Sequence, residues 1–148
     1  MQVVVLVVLI VMLVACDSAV HTGSVAPTAP PRNMDPVVLA EGKAIYDKHC
    51  KRCHLADGVG SKSWQVQGPD GKYPPPPLNG SAHTWHHPKE VLVSVIKDGS
   101  PGGMGNMPPL RDKMTDQDIE LVITWFQSLW SEQAYQTWYE HDVSHRGH

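Results

Sequence analysis

Five consecutive residues, Cys50-Lys51-Arg52-Cys53-His54, constrain this chain more than any other stretch. They read C-x-x-C-H, the spacing that attaches a c-type haem. The chemistry accounts for the spacing. Two thiols add across two vinyl groups on one edge of a flat ring, so both sulfurs must reach the same side, and one helical turn brings them there. The next residue, His54, then stands where an imidazole nitrogen can reach the iron. Two other uses of paired cysteines compete. A structural zinc site needs two further thiols or histidines at suitable spacing, and the chain has only 3 cysteines with no second C-x-x-C. A redox dithiol expects a βαβ setting, which the pattern here does not offer. The flanking sequence has to decide.

Upstream, Asp35-Pro36 is a helix start, an aspartate cap followed by proline at the first helical position. Leu39, Gly42 and Tyr46 follow on one helical face and lead straight into Cys50. Gly42 costs such a helix about 1 kcal/mol against alanine, a cost offset if another helix approaches closely there. Downstream, Ala56-Asp57-Gly58-Val59-Gly60 reads as a flexible loop and 61–73 as irregular. The run Pro74-Pro75-Pro76-Pro77 lacks backbone donors and is extended and stiff. His83, His86 and His87 surround Trp85 in a polar loop, open to metal capture but read as a cover with Trp85 packing. Pro88 opens a helix that closes before Gly99, with Val91, Leu92, Val95 and Ile96 as its apolar stripe. A glycine-rich stretch, 100–110, then carries Met104 and Met107. Both have soft thioethers, and both also suit exposed loop or core-filling roles. Met107 precedes proline, which holds its backbone extended. Thr115 with Asp118 is a near-match to a capping box. Ile119, Val122, Ile123, Phe126 and Trp130 follow at helical spacing.

Taken in order, Gly-x-x-x-Tyr, C-x-x-C-H, Pro-Leu, Met-Pro and a closing amphipathic helix resemble the class I monohaem c-type cytochromes over about 35–130. The resemblance implies an all-α fold, a small helical domain wrapped around one covalently attached haem c. It implies thioether bonds from Cys50 and Cys53, His54 as proximal ligand, and Met107 as sixth ligand with Met104 as runner-up. In the family a Pro-Leu pair packs beside the haem and a nearby proline carbonyl orients the proximal imidazole; the resemblance carries that role to Pro77 and Leu78, and Trp85 joins the haem pocket. The closing helix is expected to cross the first one, placing Val122 and Trp125 or Phe126 near Gly42 and Tyr46. Family members commonly have glycine after the haem histidine, whereas this chain has Leu55, so the turn there is expected to differ.

Ahead of the domain, residues 3–14 are wholly apolar and end in Leu13-Val14-Ala15-Cys16. That length is short of the roughly 20 residues needed to cross a bilayer and suits the core of a signal peptide. The ending resembles a bacterial lipobox, implying lipid on Cys16. Asp17 in that setting implies retention on the periplasmic side of the inner membrane. An uncleaved anchor is the alternative. Residues 16–34 read as a disordered, proline-rich tether, and 35–131 as the cytochrome domain. Residues 132–148 read as a C-terminal extension, with a short helical turn near Tyr135, Trp138 and Tyr139 and a disordered polar tail holding His141, His145 and His148. The net charge of only −3 gives no reason to expect nucleic acid as a partner.

The function implied is one-electron transfer between redox protein partners, with no catalytic residue. Lys43, Lys48, Lys51 and Arg52 offer positive charge for steering an acidic partner. Two alternatives remain: a subunit through which electrons enter a larger oxidase or dehydrogenase complex, and a haem-based sensor or peroxidase with a labile sixth ligand.

Overall fold

A computed structural model describes residues 26–147. The expected signal peptide (1–15), Cys16 and the first part of the tether lie outside the described residues, as does His148. The described chain is all-α, as the sequence predicts. It forms α1 (Pro36–His49), α2 (Lys51–His54), α3 (Lys89–Asp98), α4 (Asp116–Ser128) and α5 (Glu132–Arg146), joined by loops with short 3-10 turns. No strand forms among these residues, and no helix is long and apolar enough to cross a membrane.

Local sequence chemistry sets the ends of the helices. Asp35 caps α1, its carboxylate accepting from the amides of Val37 and Val38. Thr115 and Asp118 form a reciprocal capping box at the start of α4, and hydrogen bonding to Thr115 holds the Asp118 carboxyl below its usual pKa. The α3 helix starts at Lys89, with Pro88 as a cap that has no side chain to offer. Its first amide is taken by a distant residue instead. The buried Asp142 of α5 accepts from the Lys89 amide at 2.8 Å and pairs with Arg146 at 2.9 Å.

Helices α1 and α4 cross where Gly42 was expected to admit a partner. A Cβ at Gly42 would lie 2.3 Å from the Leu121 carbonyl oxygen and 2.8 Å from the Trp125 Cβ. One turn on, the Tyr46 and Trp125 rings meet at 4.3 Å between centroids. Ile119, Val122, Ile123, Phe126 and Trp130 all turn inward and join Leu92 and Ile96 in one core.

Two sequence expectations are corrected. The chain beyond 131 is not a short turn with a disordered tail. It is a 15-residue helix, α5, capped by Ser131 and burying Ala134, Tyr135 and Trp138 in the core. His141 and His145 ride on it. Local periodicity hid this helix because it is polar on average; Trp138 stacks on Tyr135 of the same helix and meets Trp130 edge-on.

The part of the expected tether that is described, 26–34, is docked rather than disordered. Residues 26–34 lie extended along α5. Gln136 bonds the Ala29 amide and the Pro27 carbonyl. Arg32 donates to the Gln127 and Trp130 carbonyls, pairs with Glu132 and lies over the Tyr135 ring. Gln127 lies in the last turn of α4 and Trp130 just beyond it, where carbonyls run short of helical donors. One arginine from the strap donates to both.

Candidate haem-attachment site

The C-x-x-C-H stretch sits at the break between two helices. The α1 helix ends at His49, Cys50 forms the junction, and α2 is the single turn that holds Cys53 and His54. Both cysteines are free thiols. Cys53 is exposed and Cys50 is half-buried. Burial, with a smaller contribution from Cys53, pushes the Cys50 thiol up to about 11.

His54 is buried and its ring is already fixed. Nδ1 lies 2.9 Å from the Pro76 carbonyl oxygen. A carbonyl can only accept, so Nδ1 carries the proton and Nε2 is left with its lone pair outward. Burial lowers the pKa of His54, the Pro76 bond opposing it, so the ring is held neutral. A neutral imidazole with one nitrogen bonded to a carbonyl is the form that binds a metal. The donor set therefore fits a c-type haem: two free thiols one helical turn apart, followed by an imidazole with a defined free nitrogen.

The orienting carbonyl belongs to Pro76, not to Pro77 as the family register suggested. The Pro77 carbonyl is taken by the Thr84 hydroxyl at 2.8 Å. Four identical residues in a row gave the sequence no way to choose. Leu78 packs against the core beside this segment, and its carbonyl accepts from the Trp130 indole at 2.8 Å.

The turn after His54 clasps the proline segment. Gly60 donates to the His54 carbonyl at 2.8 Å, and Leu78 donates to the Gly58 carbonyl at 2.7 Å. Gly60 stands so close to the Pro76–Pro77 peptide that a Cβ there would lie 2.4 Å from it. Leu55, where the resemblance leads one to expect glycine, takes φ 64° and ψ −178°, backbone that is essentially reserved for glycine.

On the methionine stretch, the two candidates separate. Met107 is half-buried against the core, whereas Met104 is 56 % exposed. Ser100 ties Met107 down twice: its hydroxyl accepts from the Met107 amide at 3.0 Å, and its amide donates to the Met107 carbonyl at 3.1 Å. Sequence reading did not single out Ser100, Gly60 or Pro76. Their roles depend on backbone groups brought together across the fold, which no residue type announces.

Trp85 lies along α5, lining a small hollow with Gly80, Ser131, Ala134 and Thr137 and stacking on His86. The described histidines do not assemble into a metal-binding group. His83 stacks on Trp64 and meets His87 edge-on. Of the basic residues near the motif, Lys43 and Lys51 both pair with Asp47. Lys48 and Arg52 form no ion pair among the described residues.

Residues 37–126 match the family model described as cytochrome C oxidase, cbb3-type, subunit III. No curated protein and no solved structure matches the chain.

Proposed function

The chain belongs to the family of cytochrome c oxidase, cbb3-type, subunit III, and on that premise we propose that it is a monohaem electron carrier held at a membrane. Membership makes it an electron-transfer haem protein with a c-type domain; the finer assignments are ours. Cys50 and Cys53 form the two thioether links, and His54 gives its Nε2 to the iron. Met107 is the sixth ligand. Haem bound there supplies a one-electron Fe(II)/Fe(III) couple, and a thioether donor favours the reduced state.

The observation that carries this reading is the His54–Pro76 hydrogen bond. It gives the imidazole one tautomer and one direction before any metal arrives. The clasp of Gly58 and Gly60 on the proline segment keeps that direction. Ser100 holds the backbone of Met107 at both its amide and its carbonyl, and this supports a fixed rather than a labile sixth position. Leu78 and Pro77 are assigned to the apolar wall, and Trp85 to its outer margin by α5. Lys48 and Arg52, lying outside the Asp47 pairs, are the charges assigned to steering an acidic redox partner. The apolar run ending at Cys16 supports a lipid anchor and a periplasmic location.

The name of the family favours a second reading, in which this chain passes electrons into a larger oxidase complex. Two measurements separate the possibilities. A spectroscopic redox titration of the purified protein is expected to follow a single one-electron curve. Two components, or a spectrum altered by added small ligands, would refute a six-coordinate monohaem carrier. Gentle solubilisation of native membranes then distinguishes a free carrier, which migrates alone, from a subunit that co-migrates with oxidase activity.

A further inference from the structure

Tyr46 does more in this fold than fill the crossing of α1 and α4. Its hydroxyl donates to the carbonyl oxygen of Leu55 at 2.6 Å, and Leu55 directly follows His54. At φ 64° and ψ −178°, Leu55 holds a conformation that strains any residue with a Cβ. Its side chain is 47 % exposed, so burial of that side chain is a weak reason for the strain to persist. Hydrogen bonds at both ends of the residue hold the backbone instead. The Leu55 amide donates to the Lys51 carbonyl at 2.9 Å, and the Leu55 carbonyl takes the Tyr46 hydroxyl.

The donor is itself immobile. Tyr46 is 0 % exposed and packed on Trp125. Burial, with the nearby Cys50 adding to it, keeps its hydroxyl protonated far above the usual range. One peptide before the strained residue, the His54 carbonyl receives the Gly60 amide, and Gly60 abuts the peptide whose Pro76 carbonyl holds the His54 ring. The strained peptide thus lies inside the short circuit that fixes both the backbone and the ring of His54.

We propose, resting on the reading of His54 as the axial ligand, that Tyr46 is a positioning residue for that ligand: its hydroxyl locks the Leu55 peptide and thereby keeps the imidazole on the Pro76 carbonyl. Without the hydroxyl, Leu55 relaxes toward negative φ and the Nδ1–H···O bond lengthens. That bond makes the imidazole a stronger donor. Its weakening removes electron density from ferric iron and shifts the reduction potential upward. Glycine at position 55 accepts the same backbone without strain and no longer needs the lock.

The test uses the haem-loaded protein and three variants, Tyr46→Phe, Leu55→Gly and the double substitution. Two readouts are followed, the reduction potential and hydrogen exchange at the Gly60 amide. Tyr46→Phe, which keeps the ring, is expected to raise the potential and speed exchange at Gly60 at least tenfold. Leu55→Gly alone is expected to leave the potential at the wild-type value and raise the thermal midpoint. The double variant is expected to return both readouts to wild type. A Tyr46→Phe protein that is less stable but unchanged in potential would reduce Tyr46 to a packing residue, as would a double variant that is not rescued. If Tyr46→Phe fails to mature, maturation of the double variant supports the lock and its failure overturns it. Absence of haem from the wild-type protein would instead refute the functional reading, a result separable from either.

Discussion

At the scale of single residues, one backbone carbonyl, that of Pro76, directs the His54 ring, and Ser100 holds the backbone of Met107. C-x-x-C-H marked Cys50, Cys53 and His54 as candidates, and the flanking sequence weighed the motif toward haem. Which proline carbonyl serves His54 was not legible, since Pro74-Pro75-Pro76-Pro77 has no internal landmark. The Met-Pro resemblance favoured Met107 over Met104, and the structure bears on that choice through burial: Met107 packs inward and Met104 stands in solvent. Replacing each by alanine separates them. Met107→Ala is expected to abolish the weak long-wavelength band of ferric iron bound to a thioether and to lower the reduction potential. Met104→Ala is expected to leave both unchanged. The opposite pattern in absorption spectra and potentiometry would transfer the ligand role to Met104.

At the scale of elements, the crossing of α1 and α4 sets where the haem-binding turn begins. Gly42 is the point of closest approach, and the obstacle to any larger residue is a helix backbone, not a flexible side-chain tip. Alanine there would gain about 1 kcal/mol of helix propensity but force the helices apart at an overpacking cost of roughly 1–3 kcal/mol. With contacts this short the steric term wins. Gly42→Ala is expected to destabilise the protein by about 2 kcal/mol, read from the denaturant midpoint, and an increase in stability would refute the crossing. This contact was visible beforehand as a glycine and an aromatic residue on one helical face. The strap was not, because Arg32 acts across about a hundred positions of chain on carbonyls whose need for a donor is invisible in sequence. Arg32→Ala should cost on the order of 2 kcal/mol, the range for hydrogen bonds from a charged group, measured by the same unfolding curve. A neutral result would mean that the strap merely rests on α5.

At the scale of the whole molecule, α1, α3, α4 and α5 build one core among the described residues, and Ala29 of the strap, Leu78, Cys50 and Met107 pack against it. The histidine loop gives the molecule a characteristic pH response. Burial lowers the pKa of His83 and of His87, with neighbouring histidines adding to it, below the ordinary histidine value of 6.5. The folded state thus holds fewer protons on these groups than the unfolded chain does just below pH 6.5. Stability should be complete above that value and decline as pH falls below it, before the capping carboxylates begin to titrate. Thermal midpoints measured across this window test it, and His83→Gln combined with His87→Gln should flatten the slope. The sequence showed the α1–α4 frame and the motif at its end because both rest on short, local patterns. It did not show α5 as part of the core, since that helix depends on contacts with residues far along the chain. The central claim is that one haem is bonded to this polypeptide through Cys50 and Cys53. Intact mass spectrometry of the protein, made in a host able to mature such cytochromes, tests it most directly. The expected mass is that of the polypeptide plus one haem, surviving denaturation and lost in the Cys50→Ala, Cys53→Ala double variant. A denatured wild-type chain with the mass of bare polypeptide would contradict the account.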